Sequence, residues 1–278
     1  MFILSITGKP SDVTKKGYTF FSICVNLYIH EHKTCSMTYT DYNIKKILTL
    51  PMKNDETLVL VDEIGDHSKR PVKGSSKVFG FGVSIVTKPN SFAEVSGSYK
   101  ELKGISRELK ARKIKTPDDK DIVAGGIKES GARTYGMFVD KTKDVPEGWT
   151  DQSGEDVQIG MLYETLNIVI SHIISDKIIV IVDKNKAYNE RDERERNIVE
   201  AMSEPLSRDH RKNVDCMTSG IRTGIYKSHM ETNDIVAHAL FESAEQDDHR
   251  LSEKAGMELI RFGSNDSVRK RQWFVRAD

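Results

Sequence analysis

Four acidic side chains have the types and positions needed for metal chemistry: Asp62, Glu63, Asp183 and Asp234. Asp62 and Glu63 follow one apolar run typical of a buried strand, and Asp183 follows another. Asp234 lies in the first turn of a predicted helix. In an open α/β sheet, ligands bind beyond the carboxyl ends of the strands, so Asp62 and Asp183 are expected to be neighbours. Mg²⁺ and Mn²⁺ take oxygen ligands, and a pair of such ions about 3.5–4 Å apart can drive phosphodiester hydrolysis. The acids therefore predict a divalent-metal site, although Asp also favours turns and helix caps.

The elements that must position these acids alternate between strands and helices from Asp55 onward. β-Branched and apolar runs predict strands over residues 57–61, 78–86, 133–140 and 177–182, with one or two short strands over 213–226. Helical spacing predicts a helix or a helix followed by a loop over residues 98–115. It predicts further helices over residues 117–124, 156–175, 190–203 and 233–246, the first of them capped by Thr116 and the third ending before Pro205. The order predicts an α/β domain.

Composition divides the chain into an N-terminal extension, residues 1–54, and a main domain, residues 55–278. The extension has two of the three cysteines, few acids and poor periodicity. It is either a small accessory hairpin or a translated upstream stretch before a true start at Met52.

The composition excludes several classes of protein. Lys plus Arg and Asp plus Glu each number 42, so net charge does not predict a partner. The longest early apolar stretch runs about 12 residues, short of the roughly 20 that span a bilayer, and we expect no membrane association. Three scattered cysteines without a CxxC pair indicate a reducing, cytoplasmic setting. No GxxxxGK[ST] or GxSxG motif occurs, which argues against a P-loop or a serine-hydrolase elbow.

Several short segments resemble domain-of-unknown-function family 3800. The block Leu58–Asp66 and the strand Phe79–Val83 are similar to the family's opening strands, with Ile64 in place of the usual Ser. Ile178–Asp183 resembles the family's middle strand with its Asp. Met230–Ala237 resembles the later family signature, with Glu231 for Gln and Asn233 for Ala. Residues 101–103, Glu-Leu-Lys, resemble a Glu-x-Lys element that many members carry.

The resemblance implies a ribonuclease H-like fold, a mixed five-stranded sheet with helices on both faces. Its acids would lie on the first strand, the fourth strand and a late helix, which makes Asp62, Asp183 and Asp234 the ligands of Mg²⁺ or Mn²⁺. Glu63 would be a fourth carboxylate or would orient the others. Transfer of activity from such a family rests on analogy of fold and acids.

Three further residues are candidates for binding substrate. Lys103 could meet a phosphate or a developing negative charge, and Lys227 and Ser228, just before the last predicted helix, could contact a phosphate backbone. The structural alternatives are a solvated helix face for Lys103 and an ordinary exposed loop for the other two.

The expected function is hydrolysis of phosphodiester bonds in DNA or RNA by a metal-dependent nuclease, in a role such as defence or mobile-element biology. The alternative is a non-catalytic module of the same fold that binds nucleic acid or a protein. Ile64, Glu231 and Asn233 favour this alternative, because each alters the neighbourhood of a proposed ligand. The sequence leaves the oligomeric state open.

Overall fold

The computed structural model describes residues 5–10, 21–27, 35–38, 56–66, 74–143, 145–146, 149, 154–183, 198–219 and 226–263. The chain divides into two compact units, Met1–Pro51 and Met52–Asp278. In the described part of the chain, no helix is long and apolar enough to cross a membrane.

The first unit contains three short strands. β1 (Ser5–Pro10), β2 (Phe21–Leu27) and β3 (Cys35–Thr38) form an antiparallel sheet in the order β1-β2-β3. The central strand pairs with both neighbours, with Cys24 opposite Thr7 on one side and Thr38 on the other.

The second unit contains six strands, six helices with defined bounds and a helical stretch over residues 198–201 among its described residues. The strands are β4 (Glu56–Gly65), β5 (Val78–Val86), β6 (Arg133–Asp140), β7 (Lys177–Val182), β8 (Asn213–Thr218) and β9 (Met257–Phe262). The helices are α1 (Pro89–Leu102), α2 (Pro117–Glu129), α3 (Gly154–Ser171), α4 (Ser203–His210), α5 (Lys227–Gln246) and α6 (Arg250–Lys254). A 3-10 turn, Ala111–Lys113, lies between α1 and α2.

The six strands form one mixed sheet in the order β8-β7-β4-β5-β6-β9. β5 is antiparallel to both of its neighbours, β4 and β6. The other three pairs, β4 with β7, β7 with β8, and β6 with β9, are parallel. The first strand of this sheet, β4, is therefore central and lies directly beside the fourth, β7.

Helices cover both faces of the sheet because its central strands are apolar on both sides. Val59 and Val61 of β4 pack in one core with side chains of α3 and α4. Leu58 and Leu60 point to the opposite face and pack in a second core with side chains of α1, α2 and α5. The predicted α/β class, with a mixed sheet and helices on both faces, is confirmed, and the sheet has six strands rather than five.

Local sequence signals locate several elements well. β5 and β6 have the predicted bounds, and Thr116 caps α2 by accepting a hydrogen bond from the Asp119 N–H at 3.2 Å. Of the two alternatives predicted over residues 98–115, the structure has the helix followed by a loop, because the helix ends at Leu102. α1 begins at Pro89, whose fixed φ suits the first helical position, and ends before Gly104, which adopts φ +61°.

Three other outcomes concern the second half of the chain. Of the helix predicted over residues 190–203, residues 190–197 lie outside the described part of the chain. Residues 198–201 are helical and end before Pro205 as predicted, and Pro205 lies in the first turn of α4, where the missing N–H costs no hydrogen bond. α5 begins at Lys227, six residues before the prediction, and Asp234 is therefore inside the helix. β9 was not predicted, because its side chains are mostly exposed at a sheet edge and its apolar alternation is weak.

Candidate functional site

Asp62 and Asp183 lie side by side just past the parallel pairing of β4 with β7. β4 continues beside β5 as far as Gly65, so Asp62 lies inside this strand and not at its end as predicted. Val61 is opposite Val182 in the register of β4 and β7, and the Asp183 N–H donates to the Val61 carbonyl at 2.7 Å. The pairing thus continues one residue past β7. Because side chains alternate along a strand, both carboxylates share the face of Leu60, the face that α5 covers.

Asp234 is brought over the same face by an unusually close packing of α5 on β5. A Cβ atom at Gly82 would lie 2.6 Å from the Ala237 Cα, so only glycine permits this approach. The buried Asn233 side chain accepts a hydrogen bond from the Ser84 hydroxyl at 2.6 Å and donates one to the Gly82 carbonyl at 3.3 Å. These contacts fix the height and rotation of α5, and the position of Asp234 follows from them.

The three carboxylates line one pocket of about 570 Å³ together with Lys110, Arg112 and His238. Burial raises the pKa of Asp62 well above its ordinary value, and the negative charges of Asp183 and Asp234 raise it further. The Lys110 ammonium and the Glu63 N–H, which donates to Asp62 Oδ1 at 2.9 Å, act in the opposite direction. The sheet and α5 thus concentrate negative charge at one place.

Lys110 supplies a positive charge inside this pocket. Its ammonium lies 3.0 Å from Asp234 Oδ1, and the Ala111 N–H donates to the other oxygen of Asp234 at 2.7 Å. Burial lowers the pKa of Lys110, but the charges of Asp234, Asp183 and Asp62 more than offset this effect and leave the pKa above its ordinary value. Lys110 was not among the site residues predicted from the sequence.

A sequence signal for Lys110 exists, since the tripeptide Glu-Leu-Lys occurs twice, at residues 101–103 and at 108–110. The resemblance to family 3800 involves the first copy, so Lys103 was the predicted substrate-binding residue. The structure places Lys103 outside the pocket lining, in an ion pair with Asp119 at 2.8 Å, and places the lysine of the second copy among the carboxylates.

Glu63 borders the pocket, but its carboxylate is held on the opposite side of the sheet. It follows Asp62 on β4 and therefore shares the face of Val61, which packs with α3. There the carboxylate accepts a hydrogen bond from the Gln158 side chain of α3. The structure therefore separates Glu63 from the other three carboxylates.

The remaining predicted residues lie at the first turn of α5. Lys227 and Ser228 do not line the pocket, and the Ser228 carbonyl accepts hydrogen bonds from the Ser96 and Thr232 hydroxyls. Glu231, whose type departs from the family pattern, is buried and forms an ion pair with Lys100 of α1 at 2.9 Å. This side chain thus joins α5 to α1.

His238 borders the pocket one helical turn after Asp234. Its Nε2 atom lies 3.1 Å from both the Lys120 ammonium and the Glu242 carboxylate. Burial lowers the pKa of His238 despite the charge of Glu242. The imidazole is therefore linked to a buried ion pair of α2 and α5.

The donor types suit a hard divalent cation, since Asp62, Asp183 and Asp234 offer carboxylate oxygens from three separate elements. Among the described residues, however, no group of three or more His, Cys, Asp or Glu side chains is arranged to hold a metal ion. Asp234 is bound to Lys110 and Ala111, and Asp183 accepts a hydrogen bond from the Ser219 hydroxyl. The ligand atoms of these residues are therefore of the type that a divalent cation prefers, but oxygens of Asp234 and Asp183 accept hydrogen bonds from other groups of the protein.

Neither family models nor curated proteins match the chain. Among solved structures it is similar to a chain in the PCNA:RNase HII complex from Archaeoglobus fulgidus, with 15% identity and a TM-score of 0.40. The match covers 72% of this chain and 77% of that one. A similarity of this size is too weak to assign an activity.

Proposed function

We propose that this protein is a divalent-metal-dependent nuclease of domain-of-unknown-function family 3800. The observation that carries the proposal is the convergence of Asp62, Asp183 and Asp234, from two adjacent strands and a helix packed on them, at one pocket. Structural turn or cap residues have no need to meet in this way. Mg²⁺ and Mn²⁺ are the cations whose preferred ligands match this set.

In this proposal, Asp62, Asp183 and Asp234 hold one or two metal ions. When bound there, the metal would supply a water of lowered pKa and positive charge at the scissile phosphate. The Ala111 N–H keeps the Asp234 carboxylate oriented, and the Ser219 hydroxyl does the same for Asp183. Lys110 places a cation where negative charge develops on the phosphate. Glu63 acts indirectly, through the position of β4.

The second candidate is a non-catalytic binding module of the same fold. The ion pair between Lys110 and Asp234 favours it, because an internal cation balances the acids without a metal. The departures at Glu231 and Asn233 give it no support, since both side chains make structural contacts within the fold. Metal binding discriminates the two candidates.

The test is calorimetric titration of Mn²⁺ into wild type, Asp62→Asn and Asp183→Asn. Asp140→Asn is the matched control, because Asp140 also ends a strand of the sheet but does not line the pocket. We expect binding to wild type and the control, and loss of binding in the other two variants. Metal-stimulated cleavage of labelled DNA and RNA oligonucleotides should be lost in Asp183→Asn with its melting curve retained. Unaltered cleavage in that variant would refute the assignment.

A further inference from the structure

The segment between α1 and α2 carries a local excess of positive charge at the edge of the carboxylate pocket. Within nine residues it contains Arg107, Lys110, Arg112, Lys113 and Lys115 against the single acid Glu108. The chain as a whole has 42 basic and 42 acidic residues, so this excess belongs to the segment and not to the protein. We call the four members other than Lys110 the basic rim.

The segment is anchored, so the basic rim has a defined position. Leu109, Ala111 and Ile114 are buried in the core that α5 and α2 share, with side chains 1–3% exposed. The Lys113 N–H donates to the Lys110 carbonyl at 2.8 Å and closes the 3-10 turn. The buried residues alternate with basic ones, which turns the basic side chains away from the core. A surface held in this way loses little conformational entropy when it binds.

The basic rim is exposed and continuous with the pocket. Arg112 lines the pocket beside Lys110, and Arg107, Lys113 and Lys115 are exposed on the same segment. Lys110 is engaged by Glu108 and Asp234. Within the part of the chain that the structure describes, no carboxylate pairs with any member of the basic rim. Four exposed cations without a carboxylate partner among the described residues therefore lie on the segment that brings Lys110 and Arg112 into the pocket lining.

We propose that the basic rim binds the phosphate backbone of a nucleic-acid strand and directs one of its phosphates to the pocket; this rests on the proposed function. Three carboxylates repel a phosphodiester, and cations placed at the pocket edge offset that repulsion. About three of the eight steps from Arg107 to Lys115 lie in the 3-10 turn and rise about 2 Å each. The other five reach at most about 3.3–3.6 Å each, so the segment spans at most about 22–24 Å. A strand of DNA has one phosphate per about 3.4 Å of duplex axis, so such a reach spans several phosphates. The partner is therefore an oligonucleotide rather than a small phosphodiester.

The test measures binding without cleavage. Fluorescence anisotropy of labelled 20-nucleotide DNA and RNA strands is recorded in EDTA for full-length wild type and for the variant Arg112→Gln, Lys113→Gln, Lys115→Gln. The matched control is Lys88→Gln, Lys128→Gln, Lys254→Gln, which removes three exposed charges that do not line the pocket. Circular dichroism melting confirms that both variants fold.

We expect the rim variant to bind at least about tenfold more weakly, because each lost phosphate contact removes counterion release. The slope of log Kd against log salt should fall by about 2 for a single strand, since each contact contributes about 0.7. The control should match wild type in affinity and slope. A rim variant that keeps the wild-type affinity and slope would overturn the proposal, and so would absence of binding by wild type.

This result is independent of the metal titration. Loss of binding in the rim variant, together with no Mn²⁺ binding to wild type, would support the basic rim and reject the nuclease. Intact Mn²⁺ binding and cleavage, with no effect of the rim variant on affinity, would support the nuclease and reject the basic rim.

Discussion

Gly82→Ala tests whether the close approach of α5 to β5 positions the carboxylates. The added Cβ would lie 2.6 Å from the Ala237 Cα and 2.7 Å from its backbone nitrogen. Non-bonded carbon atoms prefer about 3.5–4.0 Å, so α5 must retreat by about 1 Å. Overpacking of this kind typically costs about 1–3 kcal/mol. We expect the upper end of that range, because the clash involves helix backbone rather than a flexible side chain.

The same retreat should weaken the metal site. Asp234 precedes Ala237 by one helical turn and moves with it, and the hydrogen bonds of Asn233 to Ser84 and Gly82 lengthen as well. Metal–ligand distances are defined to about 0.2 Å, a fifth of the expected displacement. Loss of the groups that orient metal ligands typically costs about 10–100-fold in affinity, and we expect a loss in Mn²⁺ affinity of that size.

Urea denaturation and Mn²⁺ calorimetry measure the two effects separately. Gly125→Ala is the control, because nothing lies within 4 Å of its added Cβ. Within helix α2 that change should stabilise the protein by about 0.5–1 kcal/mol. A Gly82→Ala variant with wild-type stability and wild-type Mn²⁺ affinity would show that the packing of α5 on β5 does not determine the geometry of the site.

Two further substitutions probe charges in and away from the pocket. Lys110→Met keeps an apolar stem and removes the cation that competes with a metal ion for Asp234. We expect Mn²⁺ to bind this variant more tightly by up to about 1 kcal/mol, the scale of a partly exposed ion pair. Weaker Mn²⁺ binding in calorimetry would show that Lys110 does not compete with the metal. For Asp140, burial alone would raise the pKa, but hydrogen bonds from the Thr142 hydroxyl and N–H and the charge of Lys143 lower the pKa below its ordinary value. Its ionised form therefore stabilises the fold above the pKa of the unfolded chain, and this stability is lost as pH falls through the folded pKa. In urea titrations, Asp140→Asn should be less stable than wild type near neutral pH, with the difference closing between about pH 5 and about pH 3; a difference that is constant with pH would exclude the titration of Asp140 as its cause.

Local sequence patterns were enough to predict the strands that carry the site. A strand buried on both faces requires a continuous apolar run, and β5 and β6 have the bounds that their runs predict. The acids at positions 62 and 183 were recognisable because each interrupts such a run at its carboxyl end. These signals depend on residues adjacent in the chain, which is why sequence alone reveals them.

The identity of the cation in the pocket was decided only by tertiary structure. The two Glu-Leu-Lys tripeptides are locally identical, and nothing adjacent to them predicts which lysine meets Asp234 across 124 residues. Strand alternation alone predicts that Glu63 and Asp62 point to opposite faces of β4, but which helix covers each face was decided by tertiary structure. Asp62 faces α5, whereas Glu63 faces α3.

The start of α5 and the role of Asn233 show the same limit. A helix packed across a sheet is stabilised by contacts with residues far away in the chain, so its first turn forms without a strong amphipathic signal. Asn233 looked like a departure near a ligand, and the structure shows an amide that bridges α5 to β5. The sequence by itself therefore determined the strands that carry the site and the acids that follow their apolar runs. Only the packing of α5 on the sheet decided which charges meet, because that contact joins residues about 150 positions apart.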